Sequence, residues 1–219
     1  MTPPGNAMPH VPVTAEALAA LSRRDKRLAA VIETLGPLRR AARPDPFEAL
    51  LHSITGQQIS MKAQETVWQR LRALAGAHGG LCPSVMARLS LETLRATGLS
   101  ARKAAYIHAA ADAFDQGRIS AKTLRDASDA DAIAILTALP GVGLWTAEML
   151  LLFSLRRPDI LSWGDLGIRR GLCRLHHHRD MPRQRFERYR RRYSPYGSTA
   201  SLYLWAIASD TAFSLLKPR

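Results

Sequence analysis

The chain has 219 residues, and its 31 basic and 18 acidic side chains give a formal net charge of +13 at pH 7. With 47% apolar and 22% charged residues, its composition is that of a globular protein, which excludes disorder of the whole chain. The 26 arginines far outnumber the 5 lysines, and the planar guanidinium group suits phosphate. The charge therefore predicts a polyanionic partner.

The sequence also limits the class of protein. Its two cysteines, Cys82 and Cys173, are too few for a four-cysteine zinc or iron–sulfur site and are expected to be free thiols in a reducing compartment. The N-terminus shows no basic start followed by an apolar run, and no apolar stretch approaches the ~20 residues that cross a membrane. These features predict a soluble, cytoplasmic protein without a membrane partner.

Helical patterns fill almost the whole chain. Residues 1–13 are rich in proline and are predicted to form a flexible tail. Beyond them apolar residues recur at helical spacing, the 34 alanines favour helix, and proline and glycine mark the breaks. The predicted helices cover residues 14–21, 25–35, 46–56, 60–75, 84–89, 91–96, 101–116, 120–125, 129–138, 144–155, 165–173, 182–193 and 198–214. The sequence thus predicts an all-α fold.

Residues 139–147, Leu-Pro-Gly-Val-Gly-Leu-Trp-Thr-Ala, join two of these helices. Pro140 ends the first helix, and Gly141 and Gly143 permit a tight turn. Because the second helix starts at once, its first N–H groups are expected to point outward, where they can hold a phosphate oxygen. The same turn also suits an ordinary pair of packed helices, so the motif alone leaves both interpretations open.

An aspartate, Asp165, follows the second of these helices, 20 positions after Trp145 in the segment Ile-Leu-Ser-Trp-Gly-Asp-Leu-Gly-Ile. At this point the sequence resembles the helix-hairpin-helix DNA glycosylases, in the alkylated-base branch of the DNA-3-methyladenine glycosylase II type. Segments 53–60, 98–107 and 194–205 are similar to further elements of the family. Together these similarities cover about residues 45–210.

The resemblance implies a two-lobed helical fold with a DNA-binding cleft between the lobes. We expect one lobe from residues 14–45 with 131–219, which carries the hairpin and the catalytic aspartate, and a middle lobe from residues 46–130. The form is expected to be compact, without the N-terminal β domain of some relatives, and to act as a monomer on damaged double-stranded DNA.

The implied activity is monofunctional removal of alkylated bases of the 3-methyladenine and 7-methylguanine type in base excision repair, after base flipping. Asp165 is expected to stabilise the positive charge on the sugar and to activate water, although an N-cap for the next helix is the ordinary use of such an aspartate. Relatives that also cut the strand carry lysine where Trp145 stands, so we expect an abasic product and no lyase step.

Three further side chains take roles from the resemblance. Trp145 and Trp205 are expected to line the base pocket, where an indole face attracts a cationic base; packing in the core is the alternative for both. Gln58 is expected to fill the gap left by the flipped base, with an ordinary solvent-facing loop residue as its alternative.

Main-chain carbonyls of Thr137, Leu139 and Val142 are expected to hold a monovalent cation, Na⁺ or K⁺, beside a DNA phosphate; no organic cofactor and no iron–sulfur cluster is expected. The run from His176 to His178 does not predict a metal site, because neighbouring side chains on a helix diverge and no carboxylate or cysteine partner has suitable spacing. Contact with solvent or phosphate is expected there instead.

Charge is concentrated between Arg156 and Arg192, where twelve arginines and four acidic residues leave a local excess of eight. This excess is expected to hold DNA at the active cleft beside Asp165, with an affinity that falls steeply with salt; a solvated helix face in a basic protein is the alternative. Two alternatives stay open: a glycosylase for a deaminated, oxidised or mismatched base, and a non-catalytic DNA-binding module.

Overall fold

The computed structural model describes residues 9–209, and within this range it contains thirteen α-helices and no strand. The helices are α1 (Ala15–Arg24), α2 (Lys26–Leu35), α3 (Pro46–Gly56), α4 (Met61–Ala77), α5 (Pro83–Arg88), α6 (Leu91–Ala96), α7 (Ala101–Asp115), α8 (Ala121–Asp126), α9 (Asp129–Thr137), α10 (Leu144–Phe153), α11 (Leu166–His176), α12 (Arg183–Tyr193) and α13 (Gly197–Ala208). The predicted all-α fold is confirmed. No helix among these residues is long and apolar enough to cross a membrane.

Each helix begins within one residue of its predicted start, and side-chain capping explains nine of the thirteen described starts. Most N-cap side chains accept a hydrogen bond from a backbone N–H of the first turn, which satisfies donors that lack a partner within the helix. The capping residues are Thr14, Asp25, Asp45, Ser60, Ser90, Ser100, Ser120, Ser128 and Asp165. The last helix ends at Ala208, and residues 210–214 of its predicted span lie outside the described residues.

The N-terminal segment differs from the predicted flexible tail over the part that is described. His10 forms an isolated antiparallel bridge with Ala41, and the Val11 N–H donates to the Arg40 carbonyl at 2.9 Å. Val11 is buried, so apolar burial together with backbone pairing fixes this segment. Residues 1–8 of the predicted tail lie outside the described residues.

Contacts divide the chain into two compact units. The first contains the described residues up to Ala42 together with those from Arg156, and the second is Arg43–Leu155. Residues 131–155, expected in the lobe of the aspartate, belong instead to the unit of the middle segment. The reason is packing: α10 packs against both α9 and α3. The hairpin and Asp165 therefore lie in different units.

In the first unit, the core is formed mainly by α1, α2, α11, α12 and α13 and contains the buried rings of Phe186, Tyr193 and Tyr203. Helices α11 and α13 approach closely at Gly171, where a Cβ would lie 2.2 Å from the carbonyl oxygen of Leu204. No side chain larger than hydrogen fits there, so this glycine fixes the two helices that carry Asp165 and Trp205.

In the second unit, α3 packs against α4, α7 and α10. The rings of Phe47 and Phe114 lie 5.2 Å apart, and Trp68 is fully buried. The ammonium group of Lys103 donates to the Thr55 carbonyl at 2.9 Å, near the end of α3, while burial lowers the pKa of this lysine. These contacts fix the end of α3 and thus the loop that follows it.

Candidate active site

Asp165 lies at the N-terminus of α11, and its carboxylate is held by two donors. Its Oδ1 accepts from the backbone N–H of Ile168 at 2.9 Å and from the indole N–H of Trp205 at 2.9 Å. The residue is 8% exposed. The same oxygen therefore caps the helix and is held in place by the indole, and the catalytic role of this side chain stays a prediction.

Gly167 makes room for this pair, a role that its place in the sequence does not reveal. A Cβ at this position would lie 2.7 Å from Cδ1 of Trp205 and 3.1 Å from Oδ1 of Asp165. Carbon atoms do not approach to 2.7 Å without displacing one another, so any larger residue would push the indole away from the carboxylate. The only sequence signal was a glycine two positions after the aspartate, at the start of a helix that it does not favour.

The start of α13 fixes the loop that leads to Asp165. The hydroxyl of Ser198 accepts from the Ile160 N–H at 3.0 Å, and the hydroxyl of Ser201 donates to the Ile160 carbonyl at 2.8 Å. The same helix carries Trp205 near its C-terminal end. One helix thus positions both the approach to the aspartate and its indole partner.

For Trp205, the structure adds a contact that the sequence did not predict. The side chain is half-buried, and its N–H is directed at the carboxylate of Asp165. Simple core packing, the alternative at the level of sequence, does not account for this hydrogen bond. That the indole also contacts a base stays a prediction.

In the second unit, the hairpin between α9 and α10 is built on Gly141. Its φ of +78° is one that L side chains rarely adopt, and a Cβ would lie 2.1 Å from Cδ2 of Tyr106. The side-chain amide of Gln57 donates to the Gly141 carbonyl at 2.9 Å. The turn is therefore seated on a tyrosine ring and fastened to the loop after α3.

Gly143 is a different kind of glycine. Its φ is −88° and it caps α10 without a side-chain hydrogen bond, and a Cβ there would meet nothing within 4 Å. Neither its backbone conformation nor its neighbours require glycine. Its missing side chain leaves the N-terminus of α10 open, and helix N-termini favour anions.

Trp145 lies in the first turn of α10, beside Leu144. The two residues are 44% and 51% exposed, respectively. This exposure does not fit the alternative of core packing, because a large apolar side chain in a core is covered by its neighbours. The aromatic surface is thus displayed at the same helix end as the hairpin.

Gln58 is exposed and has a φ of +56°, an uncommon conformation for a side chain of this size. The side chain of its neighbour Gln57 instead binds the hairpin, so the two successive glutamines point in opposite directions. Gly56 and Gln64 support the same turn: a Cβ on Gly56 would lie 2.4 Å from Nε2 of Gln64, which donates to the His52 carbonyl at 3.0 Å. The loop is thus a strained, well-supported segment that presents one long polar side chain.

The carbonyl oxygens predicted to hold a monovalent cation belong to Thr137, Leu139 and Val142. Thr137 ends α9, where carbonyls lack partners within the helix. The Leu139 carbonyl accepts from the Val142 N–H at 3.2 Å, which leaves its second lone pair for another partner. Oxygen donors of this kind fit a hard cation, and the ion stays a prediction. Among the described residues, no group of three or more His, Cys, Asp or Glu side chains could hold a metal.

Two of the three histidines make side-chain contacts within the fold, where contact with solvent or phosphate was expected; His178 is still partly exposed. The ring of His176 lies 3.2 Å from Oδ2 of Asp25, a buried carboxylate partner from the α1–α2 junction that is too far away in sequence to be predicted from spacing. The same oxygen accepts from the Tyr193 hydroxyl at 2.8 Å. His178 approaches the Tyr189 hydroxyl at 2.7 Å.

The Asp25 network is shaped by burial and hydrogen bonding. Burial raises the pKa of Asp25, but hydrogen bonds from His176, Tyr193 and the Leu28 N–H lower it by more, so the pKa lies well below the usual aspartate range. Burial, together with the charge of Asp25, raises the pKa of Tyr193 far above its ordinary value. The carboxylate thus stays ionised and the phenol stays a donor over the whole neutral range.

Part of the arginine excess serves the fold. Three arginines of the first unit donate from Nη1 to carbonyl oxygens near the C-terminal ends of helices, where a cation also complements the helix dipole. The pairs are Arg24 with Arg192 O at 3.4 Å, Arg27 with Leu175 O at 3.3 Å, and Arg174 with Ala208 O at 2.7 Å. Of these three, only Arg174 belongs to the segment from Arg156 to Arg192, so the expectation that this segment holds DNA beside Asp165 stays a prediction.

Comparison with known proteins bears on this geometry. A family model described as HhH-GPD superfamily base excision DNA repair protein matches residues 51–195. DNA-3-methyladenine glycosylase 1 of Schizosaccharomyces pombe is 31% identical over 190 residues, which cover 86% of this chain and 83% of that protein.

Two solved structures are similar over almost the whole chain. A DNA-3-methyladenine glycosidase from Bacillus halodurans has a TM-score of 0.83 and 35% identity, with 94% of this chain and 95% of that chain covered. The 3-methyladenine DNA glycosylase Mag1 of Schizosaccharomyces pombe, solved in complex with abasic DNA, has a TM-score of 0.79 and 28% identity, with 90% and 98% covered.

Proposed function

Because this chain belongs to the HhH-GPD superfamily of base excision DNA repair proteins, we propose that it is a DNA glycosylase that removes alkylated bases of the 3-methyladenine and 7-methylguanine type. The membership confirms the resemblance seen in the sequence. The observation that carries the assignment of the reacting group is the fixed carboxylate of Asp165, with Trp205 as its donor.

Asp165 acts at the sugar. When the bond between base and deoxyribose breaks, positive charge develops on the sugar ring, and a carboxylate held in place stabilises it without having to reorganise. The same group orients or deprotonates the attacking water. Two donors on Oδ1 fix the carboxylate plane, which is the positioning that such a role needs.

The base is an alkylated purine that carries positive charge and leaves without a general acid. The exposed indole of Trp145 offers an electron-rich face to such a cation, an interaction worth roughly 0.5–2 kcal/mol. Trp205 contributes by orienting Asp165 and by lining the pocket. This chemistry favours alkylated bases over neutral oxidised or deaminated ones, which need protonation to leave.

The second unit holds the damaged duplex. The open N-terminus of α10 at Gly143 binds a phosphate oxygen through backbone N–H groups, and a monovalent cation on the carbonyls of Thr137, Leu139 and Val142 adds a positive charge beside it. Gln58, exposed and in a strained conformation, fills the gap after the base rotates out. The protein acts as a monomer on double-stranded DNA.

No amine stands in the hairpin at the position of Trp145, so the sugar is attacked by water and an abasic site is left. An enzyme of this type cuts no strand. The test is strand scission of methylated duplex, measured without heat or alkali; scission by the unmodified protein would contradict the monofunctional assignment. Trp145→Lys is expected to form an adduct with the sugar that borohydride reduction traps.

The activity is tested with wild type and Asp165→Asn on methylated duplex DNA, with chromatographic identification of the released bases. We expect wild type to release 3-methyladenine or 7-methylguanine, and Asp165→Asn to lose release while keeping DNA binding, because asparagine still caps α11. If wild type released no base from any alkylated duplex, the proposed activity would be wrong. Equal release by the variant would show that Asp165 is not a catalytic residue.

A further inference from the structure

Helix α12 carries the densest charge of the first unit, and this charge lies outside the face of its buried aromatic residues. It buries Phe186, Tyr189 and Tyr193, which recur at helical spacing. The opposite face presents Gln184, Arg188 and Arg191, all exposed. No large apolar side chain stands on this outer face.

The acidic side chains around α12 are engaged by other arginines. Glu187 lies 2.8 Å from Nε of Arg190 and 3.9 Å from Nε of Arg183. Two further acids take one arginine each: Asp180 pairs with Arg185 at 2.9 Å, and Asp25 pairs with Arg192 at 3.4 Å.

Arg188 and Arg191 form no ion pair with any residue that the structure describes. The end of α1 adds Arg23 and Lys26, both exposed, beside the α12 end that Arg24 binds through the Arg192 carbonyl. We call Arg23, Lys26, Arg188 and Arg191 the α12 basic surface. Like charges that share one helix face without counterions, as Arg188 and Arg191 do, oppose compaction, and a polyanion removes this cost.

The α12 basic surface lies at the end of α11 remote from Asp165. Tyr189, next to Arg188, stacks on His176 with ring centroids 4.4 Å apart, and His176 is the last residue of α11. Asp165 caps the first turn of the same helix. The 11 residues of α11 span about 16 Å at the usual rise per residue, so these arginines cannot touch the sugar on which Asp165 acts.

We propose that the α12 basic surface binds the phosphates of undamaged duplex DNA, apart from the lesion. The partner rests on the proposed function, since DNA is the polyanion that this enzyme meets. Anchors of protein–protein interfaces combine aromatic side chains with arginine, and the outer face of α12 presents its arginines without any aromatic or large apolar neighbour. Multi-donor guanidiniums on one face suit phosphates. The surface keeps the enzyme on DNA between lesions and contributes little to base release.

The test compares two double variants that remove the same charge from the same helix. Arg188→Gln with Arg191→Gln removes the unpaired arginines, and Arg183→Gln with Arg190→Gln removes those paired with Glu187. Binding of an undamaged 30-bp duplex is measured by fluorescence anisotropy over a series of salt concentrations. For the first variant we expect about tenfold weaker binding and a salt slope smaller by roughly 2, because about 0.9 counterion is released per phosphate contact. For the control variant we expect a smaller change in both.

Single-turnover base release at saturating enzyme is the second measurement. We expect the first variant to match wild type there, with an unchanged melting temperature. Wild-type affinity and slope in the first variant would overturn the proposal, and so would a slower single turnover, which would assign these arginines to the reacting site. Displacement of the duplex by polyglutamate as effective as by competing DNA would instead assign the surface to an acidic protein. If wild type fails to release any base, only the glycosylase assignment is contradicted, because the binding measurements do not depend on base release.

Discussion

The indole N–H of Trp205 donates a hydrogen bond of 2.9 Å to Oδ1 of Asp165, an oxygen that also caps α11. This links the end of α13 to the start of α11 through the carboxylate that we assign to the chemistry. The link depends on Gly167, where a Cβ would meet both partners. Orientation of the carboxylate is therefore a property of two packed helices and not of a flexible loop.

Trp205→Phe keeps an apolar ring and removes the donor. We expect the single-turnover rate of base release to fall roughly tenfold, the scale for a slightly misplaced catalytic group, with little change in DNA affinity. Loss of a hydrogen bond to a charged group is also expected to lower stability by about 1.5–3 kcal/mol. Quench-flow kinetics and thermal unfolding separate the two effects. A lower melting temperature with a wild-type rate would mean that the contact is only structural.

Gly167→Ala tests the same link without touching either partner. Alanine raises helix propensity by about 1 kcal/mol, yet its Cβ would lie 2.7 Å from Trp205 and push the indole away. We expect slower base release without unfolding. The matched control is Gly76→Ala, where a Cβ meets nothing within 4 Å: this variant is expected to gain stability and keep its rate. Equal rates in both variants would show that the site tolerates the displacement.

The two hairpin glycines are expected to fail in different ways. Gly143→Ala meets no protein atom, so it is expected to fold normally and to bind DNA more weakly, because its methyl group stands at the open N-terminus of α10. Gly141→Ala is expected to unfold at lower temperature, because of its φ of +78° and its contact with Tyr106. Circular dichroism melting and anisotropy titration distinguish these outcomes. Normal DNA affinity in Gly143→Ala would show that no DNA phosphate binds at the N-terminus of α10.

Gln58→Ala is expected to lower base release from duplex DNA about tenfold, since unpairing a base costs a few kcal/mol that a filling side chain offsets. Release from a methylated single strand, where no gap forms in a base stack, is expected to stay near wild type. The ratio of the two rates is the measurement. Gln58→Gly is the control for backbone strain, because glycine adopts φ of +56° freely. An equal loss on both substrates would contradict the role of a wedge.

Asp25→Asn addresses the buried network around His176. Because the folded-state pKa of Asp25 is lowered, its ionised form stabilises the fold at pH 7, and this stabilisation is lost as pH falls from the unfolded value of about 3.9 through the folded value. We expect the variant to lose about 3 kcal/mol at neutral pH and to approach wild type under strongly acidic conditions. Urea unfolding at several pH values measures the difference.

The control for that experiment is Asp126→Asn. It removes an exposed carboxylate of α8 that pairs with Lys122 in the same helix. Exposed pairs contribute about 0–1 kcal/mol, so a small loss is expected there. A penalty for Asp25→Asn that stays constant with pH would show that its ionisation does not contribute, and that packing alone explains the change.

The amino-acid sequence by itself determined the helices, their starts and the family. Helix starts depend on side chains within three residues of the cap, such as Ser100 or Ser128, and helix ends depend on nearby proline and glycine, so a short window of sequence contains what is needed. The hairpin segment and Asp165 could also be predicted from the sequence, because their residue types and their spacing can be read without knowledge of the fold. The sequence could not show which unit the hairpin joins, since that depends on packing between α3 and α10.

Only the tertiary structure decided which distant side chains meet. It placed the Trp205 indole on Asp165, the Gln57 amide on the Gly141 carbonyl, and the Asp25 carboxylate between His176 and Tyr193. These partners are far apart in sequence and have no periodicity in common, so the contacts follow from how the helices pack. The arginines show the same division between sequence and packing. The composition predicted a polyanionic partner, but packing decided which arginines bind helix ends, which pair with acids and which form no ion pair with a described residue.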